Sequence, residues 1–171
     1  MTRKHHGLSF REVLWWNPTI DLKQKILIVD GHSMIFQWPQ FAGKYAAHGA
    51  AVRESLVRML TVLQDGTDWM VAVVFDGTGP KPSAGEESTA IKVFYSKSGQ
   101  TADAIIERLA AKYAPDFDVT VATDDHLERL TVESFGAVSI SSRQLESEID
   151  SAGRAIRQSL VEIKKRRPHG R

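Results

Sequence analysis

Four short runs carry an aspartate at the point where a strand gives way to a helix or loop: Val29-Asp30-Gly31, Phe75-Asp76-Gly77, Thr101-Ala102-Asp103 and Thr123-Asp124-Asp125. In an open parallel sheet the carboxyl ends of the strands share one edge, so acids far apart in sequence can converge there. Hard oxygen donors gathered in this way suit Mg²⁺ or Mn²⁺, which keep several waters where a substrate phosphate can later sit. One or two such ions would generate a hydroxide nucleophile and stabilise the leaving oxygen of a phosphodiester. The expected chemistry is therefore phosphoryl transfer to water.

Taken singly, each acid has an ordinary explanation. Asp103 and Asp125 would stand in the first turn of a helix, where negative charge is favoured by about 0.3–1 kcal/mol. Asp30 and Asp76 precede glycine, a common turn pair. The coincidence carries the argument: strands one, two and four each deliver an acid at the same end, and a neighbouring helix adds Asp103 with Glu107 one turn further on. Crowded carboxylates repel one another, so such a site should be destabilising when empty and stabilised by divalent ion.

The elements that must position these acids are legible from apolar patterning. Lys25-Ile-Leu-Ile-Val29 and Trp69-Met-Val-Ala-Val-Val-Phe75 are continuous apolar runs of the kind buried on both faces of a parallel sheet. Between them, about residues 50–64, Val52, Leu56, Met59, Leu60 and Leu63 form the stripe of a crossover helix. Ile91-Lys-Val-Phe-Tyr95 is a third, less buried strand, Thr101 is the N-cap of a helix burying Ala102, Ile105, Ile106 and Leu109, and Asp118-Val-Thr-Val-Ala122 is the fourth strand. Thr123 is expected to cap the next helix, Ala137-Val-Ser-Ile140 is the fifth strand, and Ser141 or Ser142 starts a last helix with Leu145, Ile149, Ala152, Ile156, Leu160 and Ile163 inward. Alternation of this kind predicts a three-layer α/β/α domain with a mainly parallel five-stranded sheet.

A chain of 171 residues fits one such domain. Residues 1–24 are expected to be an arm whose Leu14, Trp15 and Trp16 dock on the domain or a partner, residues 25–163 the domain, and residues 164–171 a basic tail. That tail either holds phosphates by counterion release or is a solvated helix end complementing the dipole. The loop from Gly77 to Thr89, rich in Gly, Pro, Ser, Lys and Glu, lies next to a strand end where loops often carry function. No run approaches the roughly 18 apolar residues of a membrane span. The absence of cysteine excludes thiolate chemistry and fits a reducing cytoplasm. A net charge of +1 gives no global nucleic-acid signature. The G-x-S-x-G, P-loop, G-x-G-x-x-G and H-E-x-x-H patterns are all missing. His32 and His126, each within two residues of a proposed ligand, read as surface or hydrogen-bonding groups.

These runs together resemble the PIN-like NYN domains, in particular the YacP-like branch of bacterial RNA-associated endoribonucleases. Ile26-Leu-Ile-Val29-Asp30-Gly31-His32-Ser33 stands where the family has a strand ending in D-G-Y-N, and Val73-Val-Phe75-Asp76 is similar to its second-strand motif. Phe94 to Lys97, then Thr101-Ala102-Asp103 with Ile106-Glu107-Arg108, resembles a stretch ending T-A-D-x-x-I-E-R, and Val121-Ala-Thr-Asp-Asp-His-Leu-Glu128 resembles V-A-T-S-D-x-x-E. The resemblance implies a PIN-like fold, dependence on Mg²⁺ or Mn²⁺, and endonucleolytic cleavage of RNA, ribosome-associated for some members. By position it implies Asp30, Asp103 and Asp125 as metal ligands, Asp76 as a nearby ligand or a water-holding acid, and Ser33, Glu107, Thr123 and Asp124 around them.

Asp124 falls where the family tends to have serine and reads as a capping neighbour. His32-Ser33 replaces the Tyr-Asn of the signature, a shorter hydroxyl in place of an amide, which leaves a catalytically weak or inactive RNA- or ribosome-binding module of the same fold as the alternative reading. A small-molecule phosphatase is a third, without a D-x-D nucleophile motif to support it. Arg53, Lys81, Lys92, Lys97, Arg108 and Arg143 are candidate phosphate contacts, and Trp38 and Tyr95 candidate stacking platforms for unpaired bases. Oligomeric state is not encoded in any feature of the chain.

Overall fold

Strand β1 (Lys25–Asp30) is buried from Ile26 onward and forms the middle of the sheet. The structure, a computed structural model, describes residues 23–43, 45–77, 91–96 and 99–166. After β1 come α1 (Gly31–Gln37), a short 3-10 turn (Pro39–Phe41), α2 (Tyr45–Gly66), β2 (Trp69–Phe75), β3 (Lys92–Tyr95), α3 (Ala102–Tyr113), β4 (Asp118–Ala122), α4 (His126–Ser134), β5 (Val138–Ile140) and α5 (Ser142–Arg166). The order across the sheet is β3-β2-β1-β4-β5, and every pairing among the described residues is parallel. This is the three-layer α/β arrangement expected from the alternating pattern.

The two-residue period of a strand divides the core in two. Leu27, Val29, Val71, Val73 and Phe75 face α1, α2 and α5, where Leu56, Leu60, Leu63 and Leu145 are fully buried. Ile26, Ile28, Ala72, Val74, Val119 and Val121 face the other way, against Ile105, Ile106 and Ala110 of α3 and Val132 of α4. Helices thus leave β1 toward one face and β3 and β4 toward the other. The reversal puts a crevice at the carboxyl ends of β1 and β4, where open α/β sheets bind their ligands.

Two glycines close this edge for different reasons. At Gly31 a Cβ would lie 2.3 Å from a ring carbon of Phe75 and 3.0 Å from the Val74 carbonyl, so the turn out of β1 has no room for a side chain. At Gly77 space is open but φ is +88°, the left-handed region that glycine enters without penalty.

Several expectations need correction. Asp30-Gly31 opens a helix, α1, where sequence patterning gives only a connecting segment. The crossover helix is longer than residues 50–64, running from Tyr45 to Gly66. Trp38 is no stacking platform: it is 2% exposed, and its indole Nε1 donates to the Ser142 carbonyl at 3.1 Å, tying α1 to α5. The start of α5 is a capping box, Ser141 Oγ accepting from Gln144 N while Ser141 N donates to the Gln144 side chain. Its end runs through Lys164, Lys165 and Arg166, in agreement with the helix-end alternative for these basic residues. The amino-terminal arm up to residue 22, most of the loop after Asp76, and Lys81 and Lys97 lie outside the described residues. No helix among the described residues is long and apolar enough to cross a membrane.

Candidate active site

Asp30 ends β1 and caps α1. Its Oδ1 accepts from His32 N at 3.0 Å and Ser33 N at 3.2 Å, which leaves Oδ2 to the Thr123 hydroxyl at 3.4 Å. The carboxylate is only 6% exposed, held where the positive end of a helix offsets its burial. Thr123, fully buried and level with Asp30 at the end of β4, does not cap α4 as predicted. Its Oγ1 accepts from Asp125 N at 3.1 Å, and Asp125 is the cap, its Oδ1 accepting from Leu127 N at 2.8 Å and Glu128 N at 3.0 Å. Asp125 therefore sits one position before the first turn in which it was expected, with its second oxygen uncommitted to the cap.

Asp76 joins three elements. Its Oδ1 accepts from Ala102 N at the start of α3 at 2.8 Å and from the Ser96 hydroxyl after β3 at 3.2 Å. That anchor fixes the first turn of α3, whose N-cap is Thr101, and so sets Asp103 at the mouth of the crevice. Asp103 titrates above the ordinary carboxylate range, first because of partial burial and then because Asp30, Asp76 and Asp125 repel its charge. The four predicted acids therefore share one electrostatic site.

Glu107 is not among the charges that act on Asp103, and it stays half-buried on α3. Glu128 is a further acid of the site. This side chain is 3% exposed, and neither carboxylate oxygen has a hydrogen-bond partner among the described residues. Burial pushes its pKa up to about 8, the Thr123 hydroxyl opposes the shift, and Asp30, Asp103 and Asp125 add to it. Thr123 has one proton to give, and its hydroxyl donates to Asp30 at 3.4 Å while lying near enough to Glu128 to be the main influence that lowers its pKa. In sequence Glu128 enters only as the last residue of the run that resembles V-A-T-S-D-x-x-E, with no role attached to it; Asp125-His-Leu-Glu128 also has the spacing of a capping box, in which the glutamate would reach back to Asp125 N on the surface. Here Thr123 occupies that N–H, and the glutamate turns inward.

Asp124 ties the site to the last helix, accepting from Ser142 N at 3.0 Å, while Asp124 N donates weakly to Ser33 Oγ at 3.5 Å. Ser33 thus bridges β1 and β4 behind the acids. Arg53 of α2 lies over the rings of Phe75 and Tyr95, 5.8 and 5.7 Å from their centroids, next to the end of the strand that Asp76 follows. Arg108 and Arg143 are exposed on α3 and α5.

Among the described residues, no three His, Asp or Glu side chains close into a ready-made metal cage. The donor set is nevertheless that of a hard cation: carboxylates only, one of them buried without a partner. The ion pairs of Lys25 with Asp68 and Arg58 with Glu54 lie elsewhere and neutralise none of these acids. Mg²⁺ binds through one or two carboxylates and retains waters, so an open group of acids fits it better than a cage would.

Residues 27–171 match the family of YacP-like NYN domains. The "Uncharacterized protein YacP" of Bacillus subtilis (strain 168) is 32% identical over 148 residues, which span 85% of this chain and 87% of the relative. Two crystal structures of Rae1 (YacP) from Bacillus subtilis superpose with similar quality. One has a TM-score of 0.71 at 31% identity, covering 84% of this chain and 83% of that one. The other, of a mutant form, has a TM-score of 0.70 at 30% identity, covering 84% and 85%.

Proposed function

The chain belongs to the YacP-like NYN family, with its nuclease-like fold, and from that membership and the state of Glu128 we propose that it is a divalent-metal-dependent endoribonuclease. The observation that carries this reading is a buried carboxylate with no hydrogen-bond partner among the described residues, beside three further acids. Folding leaves such a group uncompensated unless something outside the protein chain completes it. Asp30, Asp103, Asp125 and Glu128 are the residues that would hold Mg²⁺ or Mn²⁺, with Asp76 fixing the geometry of α3. Such an ion supplies Lewis-acid stabilisation of the phosphate and a more acidic water.

The remaining work falls to the chain's own groups. Thr123 and Ser33 hold the ends of β1 and β4 in register, so the acids keep their spacing when charge changes. Arg53, braced by two rings, and the exposed Arg108 and Arg143 are the phosphate contacts. In the overall step a bond forms between water oxygen and phosphorus, the bond from phosphorus to one ribose oxygen breaks, and a proton moves from the water to that leaving oxygen.

The substrate is RNA, with ribosome-associated RNA the class that the family resemblance favours. The test is cleavage of end-labelled single-stranded and structured RNA by the purified chain with Mn²⁺, Mg²⁺ or EDTA, beside Glu128→Gln. Metal-dependent cutting by the wild type, and its loss in the variant, is the expected result. Salt-sensitive RNA binding without any cutting would instead support the inactive binding module, for which the exposed Lys164, Lys165 and Arg166 at the end of α5 are the phosphate contacts.

A further inference from the structure

Helix α1 leaves the acidic edge with one side packed and one ring in water. Met34 and Ile35 are 0% and 2% exposed, whereas Phe36 is 69% exposed, against 40% for Phe135. One helical turn before it, the half-buried His32 places its ring 5.4 Å from that of Phe36, with 32° between the planes. The backbone N–H of the same His32 donates to Asp30 Oδ1 at 3.0 Å. A short ladder of two rings therefore begins at the carboxylate that ends β1 and finishes on an open phenyl face.

From this we infer that His32 and Phe36 form a stacking platform for one unpaired nucleobase of an RNA strand whose phosphate lies at the acidic edge; this rests on the nuclease reading for its choice of ligand. The surroundings select a base over an apolar protein surface. Gln37 and Gln40, which follow Phe36 closely in the chain, are exposed, so amides able to bond base edges stand near the ring in sequence. A stable protein interface needs on the order of 1,000 Å² of complementary surface, far more than one phenyl ring offers. A base also meets the electrostatic need of the edge. The acids repel a phosphate backbone until a cation is present, whereas stacking attracts without charge and tolerates any base. Duplex RNA cannot use the platform because its bases are already stacked and paired.

The test uses the full chain and a single-stranded RNA oligonucleotide, with a matched oligonucleotide containing one abasic nucleotide, titrated with Ca²⁺, a hard oxygen-seeking cation that offsets the acids, in place of Mg²⁺ or Mn²⁺ so that cutting is held in check. Phe36→Ala is expected to weaken binding about 5- to 100-fold, the range of one base–aromatic stack, and Phe36→Trp to restore it. The abasic nucleotide should weaken wild-type binding by a similar factor at one position and leave Phe36→Ala unaffected. A 5-iodouridine at that position should photocrosslink to Phe36. Equal affinity of wild type and Phe36→Ala, or crosslinks mapping only elsewhere, would overturn the platform. Because Phe36 is exposed, its removal should spare the fold, and an unchanged unfolding midpoint checks this.

The two readings fail separately. Metal-dependent cleavage with an unchanged KM in Phe36→Ala would leave the nuclease standing and sink the platform. Phe36-dependent binding with no cleavage would do the reverse. Crosslinking of Phe36 to another protein, with no RNA affinity in the wild type, would overturn the platform in favour of a protein contact.

Discussion

The two ends of one parallel sheet treat charge in opposite ways. At the amino end, Lys25 and Asp68 form a 2.9 Å ion pair in water, and the lysine's hydrogen bond holds Asp68 below its ordinary range. A cleft of about 530 Å³ opens there, bordered by Lys23, Lys25, Asp68, Asp118 and Glu148. Acids and bases mix around it. At the carboxyl end acids gather, three of them at helix starts, with Arg53 held over the Phe75 and Tyr95 rings beside them, and Glu128 is buried without a partner among the described residues. This cleft thus lies at the end where acids and bases are interspersed, and the chemistry is better sought where the acids gather. Paired surface charges are ordinary solvation, whereas a buried group left unsatisfied calls for a reason at its own site.

The largest effect should come from removing an acid without removing its structural task. Asparagine is as good an N-cap as aspartate, so Asp30→Asn keeps the hydrogen bonds to His32 and Ser33 while losing the charge. RNA cleavage should fall by at least about 100-fold, in the upper range for a disturbed metal site, with circular dichroism and unfolding midpoint close to wild type. Retained cleavage in that variant would remove the acidic end from the mechanism. Lys25→Ala, at the opposite end, is the matched control.

The next effect sharpens the contrast in stability. Mg²⁺ or Mn²⁺ at about 100 times its dissociation constant should stabilise the wild type by about 2.7 kcal/mol, read as a raised unfolding midpoint. Glu128→Gln should lose most of that increment and Lys25→Ala should keep it. An equal metal response in all three would place any bound ion away from Glu128.

Titration gives a smaller and more specific signal. Burial raises the Glu128 pKa from 4.5 to about 8, so the folded chain binds more protons than the unfolded chain between those values. Stability attributable to this group is therefore complete below about pH 4.5 and is lost as pH rises through about 8. Without divalent ion, the unfolding midpoint of the wild type should fall over that window relative to Glu128→Gln, whose profile lacks this component. A difference between the two that does not change with pH would show that Glu128 is already charged, and satisfied, in the metal-free fold.

Most of the frame behind these contrasts is legible in the chain because it depends on local signals. Continuous apolar runs mark β1 and β2, and the helical stripe marks the residues of α2 that lie in the core. Asp30, Asp76, Asp103 and Asp125 stand out because strand ends in a parallel sheet must share an edge. What escapes is set by competition for single hydrogen-bond donors. Whether Glu128 caps α4 or turns inward depends on which oxygen takes the N–H of Asp125, and the answer comes from Thr123, two residues earlier. Trp38 misleads for a related reason: an indole that looks available in sequence is claimed by the carbonyl of Ser142, far along the chain. Pairings of that kind have no periodicity to announce them.

The smallest expected effect belongs to the amino end and tests whether its ion pair matters at all. Lys25 and Asp68 are both largely exposed, so their attraction is screened by water and salt. Lys25→Ala should leave RNA cleavage, metal response and pH profile unchanged and should shift the unfolding midpoint only slightly, with the shift shrinking as salt is added. A loss of cleavage in Lys25→Ala would mean that the two ends of the sheet are coupled. The route would have to be β1 itself, which carries Lys25 at one end and Asp30 at the other and is buried all the way from Ile26 to Asp30. A strand so placed is clamped by its register to both β2 and β4. Releasing an exposed ammonium at its first residue should not move its last, and that insulation is what would let one end exchange ligands while the other stays fixed.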